Sequence, residues 1–233
     1  MLIRPAAALA GLAVAALALA GCSSDGSSDT AADPAPTSGV SCDYPAGGGD
    51  AAKDVDPPPA TATQTGTVAA TIATSAGDLH ADLDADATPC TVNSFVSLAE
   101  QGYFDGTSCH RLTTGGIFVL QCGDPTGTGS GGPGYSFDDE LDSLPKPDAD
   151  GSIAYPAGTL AMANAGPGTN GSQFFVVYDD TRLPPAYTVF GTIDDASVAI
   201  VQKVAKAGTD DANGPGDGHP NTPVDISKVT VDN

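Results

Sequence analysis

The chain has 233 residues and carries 29 acidic side chains against 8 lysines and arginines, a formal charge of -21. So few cations exclude a nucleic-acid binder and a polybasic membrane surface, both of which meet phosphate with Lys and Arg. The acidic surplus is spread along the chain and mainly confers solubility.

The N-terminus reads as an export signal. Arg4 precedes an almost wholly apolar run from Ala6 to Ala20, and Leu19-Ala20-Gly21-Cys22 places small residues before a cysteine. The run is shorter than the roughly 20 residues a membrane span needs. Residues 1–21 are therefore assigned to a lipoprotein signal peptide, and Cys22 to a lipid anchor at the outer face of a bacterial plasma membrane. From 22 to 65 the chain is mostly Ser, Asp, Ala, Pro, Gly and Thr, a composition that predicts a disordered tether. Residues 66–233 suffice for one domain with a single core, expected to be monomeric.

Within the domain, Val68, Ala70 and Ile72, then Leu79, Ala81 and Leu83, alternate with polar or small residues around a turn at Ser75–Asp78, which predicts a hairpin. A helix follows, with Thr88 as cap, Pro89 at its first position, Val92, Phe95, Val96 and Ala99 as its apolar stripe, and Gly102 as its stop. Short strands are predicted near 108–112, 117–122, 159–163, 173–178, 188–193 and 224–231. A second helix starts at Asp194 or Asp195 and carries Val198, Val201, Val204 and Ala205, with Lys203 and Lys206 at its negative end and Gly208 beyond.

Beyond Cys22 there are four cysteines, Cys42, Cys90, Cys109 and Cys122. Export permits two disulfides, and three connectivities are open. Cys109 and Cys122 are neighbours on a candidate hairpin, yet strand parity turns them to opposite faces if Arg111 and Gln121 share one; a bulge would rescue the pair, and Cys109 with Cys122 and Cys42 with Cys90 is the connectivity favoured among the three. No Cys-x-x-Cys pair offers a zinc site. The Gly127–Gly132 run has the spacing of a dinucleotide loop, but Pro133 follows where a helix should begin. Asp138, Asp139 and Glu140 lack calcium-loop spacing and read as a solvated acidic loop. Neither a metal nor a cofactor is implied.

Two segments carry the functional signal. The first runs from His110-Arg111-Leu112 to Phe118-Val119-Leu120-Gln121-Cys122-Gly123. The second is Gly158 to Phe175, containing Met162-Ala163-Asn164-Ala165-Gly166 and ending Gly171-Ser172-Gln173-Phe174-Phe175. Together they resemble the signature of the cyclophilins, a family of peptidyl-prolyl cis-trans isomerases, over roughly Gly66 to Asn233. The resemblance implies a closed eight-stranded antiparallel β-barrel capped by two helices, with the active groove on its outer wall. It implies Arg111, Gln121 and Phe118 as catalytic residues. Val119, Ala163, Asn164, Ala165, Phe175, Leu183 and Tyr187 would bind a proline-containing polypeptide.

The chemistry follows from the amide. Rotation about an Xaa-Pro bond meets a barrier of roughly 18–20 kcal/mol. At the twisted transition state the prolyl nitrogen regains a lone pair, and a fixed guanidinium that donates to it favours the twisted form over both planar isomers. Arg111 suits this role, with Gln121 to hold a peptide carbonyl and fix the arginine. Phe174 and Phe175 alternate, so one should face the core and the other the groove. His110 is expected to be structural.

Several positions depart from the family pattern. Two extra residues lie between Arg111 and Phe118, Val119 stands for a methionine, Cys122 for a glycine and Tyr187 for a histidine. There is no tryptophan, and Arg182 lies near the one many relatives use to hold cyclosporin, so weak binding of that drug is expected. The reading is an isomerase assisting the folding of exported proteins. A non-catalytic proline-binding or chaperone module on the same barrel is the alternative, although such a module would not need the arginine.

Overall fold

The computed structural model describes residues 39–232; the segment expected to be a signal peptide, Cys22 and the first part of the expected tether lie outside them. The elements in chain order are β1 (Val40–Ser41), β2 (Thr61–Ala62), β3 (Thr67–Thr74), β4 (Gly77–Asp84), α1 (Pro89–Glu100), β5 (Thr107–Ser108), β6 (Arg111–Thr113) and β7 (Val119–Cys122). There follow β8 (Ile153–Tyr155), β9 (Thr159–Met162), β10 (Phe174–Val177), β11 (Thr181–Leu183), β12 (Val189–Ile193), α2 (Asp195–Ala205), β13 (Asp217–Gly218) and β14 (Asp225–Val231).

The architecture is mainly β with two helices, built on one curled antiparallel sheet. Its strand order is β13-β6-β7-β10-β9-β12-β4-β3-β14-β5, and β1-β2 and β11-β8 form separate pairs. The ladder is thus an open one of ten strands rather than the closed eight-stranded barrel expected from the sequence. Its strand β5 and its penultimate strand at the other end, β6, are separated in the chain only by Cys109 and His110. Short ladders with a break at these two residues explain why strand counting by periodicity does not recover the pairing.

The β3–β4 hairpin pairs in full register from Thr67↔Asp84 to Thr74↔Gly77. Its inward residues Ile72, Leu79 and Leu83 are at most 3 % exposed. Helix α1 lays Val92, Phe95, Val96 and Ala99 against the same core. The Phe95 ring lies 5.1 Å from Phe104, 5.3 Å from Phe190 and 5.7 Å from Phe174. Thr88 occupies the N-cap position but its hydroxyl donates to the Asp84 carbonyl. The helix N-terminus is capped instead by the Glu140 carboxylate, which accepts from the Cys90 and Thr91 N–H groups at 3.0 and 2.8 Å. The acidic loop is therefore not merely solvated. Asp194 caps α2, accepting from Ser197 N–H at 2.7 Å.

Residues 39–65, which composition assigns to the tether, are instead laid along the domain. Cys42 is bonded to Cys90 on α1, and the Tyr44 hydroxyl donates to the Cys90 carbonyl at 2.7 Å. Isolated bridges join Ala46 to Tyr135 and Ala51 to Gly132. Low hydrophobicity misleads here because the segment is held by backbone pairing and a covalent bond more than by apolar burial.

Both disulfides are Cys42–Cys90 and Cys109–Cys122. The parity objection to the second fails at the break between β5 and β6. There Cys109 and His110 are both buried, so alternation restarts and Cys109 joins Cys122 in the core.

Candidate active site

Strand register builds the site. Arg111 on β6 pairs with Gln121 on β7, Gln121 with Phe175 on β10, and Phe175 with Ala161 on β9. Directly opposed residues share a face, so these four form one row across the outer side of the sheet. Their neighbours Leu112, Leu120, Cys122, Phe174 and Val176 point to the main core. The two adjacent phenylalanines part as alternation predicts.

The outward row floors a second, smaller apolar cluster of Val119, Ile153, Tyr155, Ala161, Phe175 and Val177, with Ile117, Leu183 and Tyr187 packed on it. Above it lies a cavity of about 180 Å³ lined by Arg111, Ile117, Val119, Gln121, Ala163, Asn164, Phe175, Leu183 and Tyr187. The Tyr187 ring meets Phe175 edge-on at 5.5 Å. The apolar part suits a pyrrolidine ring, and the polar part is Arg111 with Gln121.

Eight of the ten residues expected at the site on the sequence therefore line this one cavity. Ala165 lies on the neighbouring cavity instead. Phe118 does not reach the site, because alternation turns it from the face of Val119 toward the main core. There its ring meets Tyr178 at 6.0 Å. Ile117, two residues before Val119, lines the cavity from the segment leading into β7, and the sequence reading missed it.

The larger omission is Asp217. Arg111 donates from Nε to Asp217 Oδ1 at 2.8 Å and from Nη2 to Oδ2 at 2.6 Å, while Nη1 lies 3.4 Å from Gln121 Oε1. This fork fixes the guanidinium and uses three of its five N–H groups, leaving two to donate into the cavity. The Arg111 hydrogen bond holds the Asp217 carboxyl below its usual range, and the same bond raises Arg111, keeping both charged. One acid in a glycine-rich turn, among 29 acidic residues, carried no distinguishing signal in the sequence.

Gln121 is fixed in turn. Its Nε2 donates to Gln173 Oε1 at 2.9 Å, and Gln173 Nε2 donates to the Gly129 and Gly131 carbonyls, each at 3.0 Å. The N–H groups of those two glycines donate to the buried Asp124 carboxylate, which also accepts from Thr126 N–H and Oγ1. Burial alone would raise the Asp124 carboxyl, but these bonds hold it below the usual range. His110 sits beside this loop, 8 % exposed, with both ring nitrogens lacking a hydrogen-bond partner. Burial lowers its pKa against the opposing pull of Asp124.

Asn164 stands on the far rim. Its Nδ2 donates to the Ala186 carbonyl at 2.8 Å and lies 3.3 Å from Asp139 Oδ1, and its Oδ1 accepts from Gly166 N–H at 3.2 Å. The side chain is thus committed to bracing its loop. A second cavity, about 420 Å³, continues past this rim and shares Gln121, Ala163 and Asn164 with the first. Tyr135, Ser136 and the glycines from 129 to 132 contribute to its walls.

Residues 69–231 match the model of the family described as cyclophilin type peptidyl-prolyl cis-trans isomerase. A probable peptidyl-prolyl cis-trans isomerase B of Mycobacterium leprae is 50 % identical over 206 residues, covering 85 % of this chain and 69 % of that one. Its counterpart in Mycobacterium tuberculosis is 48 % identical, with 85 % and 66 % covered; the chain thus spans about two thirds of these longer relatives. Among solved structures, a cyclophilin type peptidyl-prolyl cis-trans isomerase of Cryptosporidium parvum superposes with a TM-score of 0.60 at 30 % identity. The match covers 72 % of this chain and 98 % of that one. A second structure of it, determined in the presence of the dipeptide Ala-Pro, gives a TM-score of 0.59 at 31 % identity, covering 71 % and 99 %.

Proposed function

The chain belongs to the cyclophilin-type peptidyl-prolyl cis-trans isomerases, and we propose that it turns Xaa-Pro bonds of exported polypeptides with Arg111 as the group that stabilises the twisted amide. The proline ring enters the small cavity against Phe175, Val119 and Leu183. Tyr187 closes it edge-on where a histidine would otherwise stand. The residues flanking the proline run over Ala163 and Asn164 toward the larger cavity, where Ala165 lies.

The observation that carries this reading is the fork between Arg111 and Asp217. A guanidinium pinned at Nε and Nη2 keeps two N–H groups aimed at a fixed point, so it need not reorganise when the prolyl nitrogen becomes pyramidal. Each tenfold in rate needs about 1.4 kcal/mol of preference for the twisted form over the planar ones. One charge-assisted hydrogen bond is of that order, roughly 1.5–3 kcal/mol.

The exported, tethered form of the enzyme rests on the sequence pattern from Arg4 to Cys22, supported by two disulfides, which persist in oxidising compartments. Lipid on Cys22 would hold the domain, as a monomer, at the outer face of the plasma membrane. Mass spectrometry of the mature N-terminus, with a Cys22→Ser control, tests this: an unmodified chain or one beginning elsewhere refutes the anchor.

Catalysis is tested by NMR exchange spectroscopy on an Ala-Pro peptide. Acceleration that nearly vanishes in Arg111→Ala is expected. Binding without acceleration would leave a recognition module in place of the enzyme.

A further inference from the structure

The family match begins at residue 69, so the segment between Pro45 and Ala52, which brings Gly48 to the larger cavity, lies outside it. That segment is anchored at both ends. On one side Gly47 N–H donates to the Gly134 carbonyl at 3.1 Å and Ser136 N–H to the Pro45 carbonyl at 3.0 Å. On the other, Ala52 N–H donates to the Gly132 carbonyl at 2.8 Å. Cys42–Cys90 ties it covalently to α1, and Lys53 Nζ donates to the Tyr103 and Asp105 carbonyls at 2.9 and 2.6 Å. Between the anchors come Gly47, Gly48 and Gly49, and Gly48 forms part of the wall of the 420 Å³ cavity.

Gly48, flanked by two further glycines, gives that wall a stretch of bare backbone. Gly48 and Gly49 have positive φ, 72° and 90°, and neither takes part in a hydrogen bond within the described residues. Their N–H and C=O groups must therefore find partners in water or in a ligand. No charged side chain lines the cavity, whose other polar groups are neutral amides, hydroxyls and backbone.

We propose that the strap of residues 45–52 is a specificity element of the isomerase: its bare glycine backbone selects clients with a neutral, hydrogen-bonding side chain near the proline. The carboxamide of glutamine, which both donates and accepts, is the matching group, whereas leucine of similar size fills the space without meeting the backbone. The inference rests on the isomerase reading, since it assumes that the peptide continues from the small cavity into the large one.

The test uses the full chain and Ala-Pro peptides in which the residues on either side of the dipeptide are set in turn to Gln, Leu or Ala. The wild type should favour Gln over Leu in kcat/KM by about three- to tenfold, the worth of one net hydrogen bond. Cys42→Ser with Cys90→Ser, which frees the strap's covalent anchor, should bring that ratio toward one while the rate on the bare Ala-Pro dipeptide stays unchanged. Gly48→Asn, tolerable at positive φ, puts a side chain toward Ser136 and should lower the same ratio by another route. A ratio near one in the wild type, or one unmoved by both variants, overturns the proposal. So does an equal fall on every peptide including the dipeptide, which would make the strap structural only. A wild-type protein that leaves Ala-Pro exchange unaccelerated refutes the isomerase reading itself, a different result from any of these.

Discussion

Replacing Asp217 with alanine should cost somewhat more in catalysis than in stability. The variant removes two of the three hydrogen bonds that fix the guanidinium and leaves only the 3.4 Å approach of Nη1 to Gln121. The ion pair is partly open to water, with side-chain exposures of 34 % for Arg111 and 27 % for Asp217. Its contribution to stability must be discounted for solvent screening to about 1 kcal/mol, a fall of roughly 2–4 °C in Tm for a domain of this size. Arginine carries about 2 kcal/mol of rotamer entropy. If the released side chain must be ordered again at each transition state, the penalty approaches that figure, or up to about 30-fold in rate. Exchange spectroscopy on Ala-Pro should therefore show a 10- to 30-fold loss, with Asp217→Asn intermediate because its amide keeps one acceptor. In an Arg111→Ala background the same change should cost nothing further. An Asp217→Ala protein with wild-type exchange, or one whose defect adds to that of Arg111→Ala, would refute the view that Asp217 acts through Arg111.

Three further outcomes are expected. Because burial lowers His110 below its ordinary 6.5, the unfolded chain binds its proton first as the solution is acidified. Stability should decline as pH falls from about 6.5 through the lowered native value. Asp124, His219, Arg111 and Gln173 also act on this imidazole, so urea midpoints across that range are compared with His110→Gln, which should flatten the slope; an unaltered slope assigns it elsewhere. Glu140→Ala should cost roughly 1–2 kcal/mol in chemical denaturation by uncapping α1, and an unchanged midpoint would contradict that role. Removing Cys109–Cys122 as a double alanine variant, with Cys42–Cys90 intact, opens a covalent loop of sequence separation 13 and should cost about 3 kcal/mol, read from the same denaturation curves.

What was legible in the sequence was local. The β3–β4 hairpin and both helices declare themselves through period two and period 3.6, and Phe174 and Phe175 part as adjacent strand residues must. Arg111 and Gln121 were legible as a pair through the motif. Asp217 was not, because it meets Arg111 across 106 residues from within a turn whose composition says only that it bends. Phe118 was misplaced by treating the motif as a list of contacts, although its neighbour Val119 already claimed the opposite face. Cys109–Cys122 with Cys42–Cys90 was the pairing favoured among three, and it is the one formed, although strand parity argued against it across a break that no single residue announces. The segment 39–65 was taken for a tether since its composition lacks a core, yet pairing to residues 132–136 needs none.

The Cys42–Cys90 bond also has a mechanical meaning. A pull on the chain ahead of residue 39 meets the β1–β2 pairing at Val40 and Ser41 and then Cys42, where sulfur offers a covalent route to the first turn of α1. The residues between the two cysteines, separated by 48 in sequence, form a covalent loop off that line of force. The strap and the β3–β4 hairpin both lie in the loop. The covalent path beyond Cys42 therefore runs into the helix and bypasses residues 45–52, so that segment is not part of the shortest covalent line along which such a pull is carried.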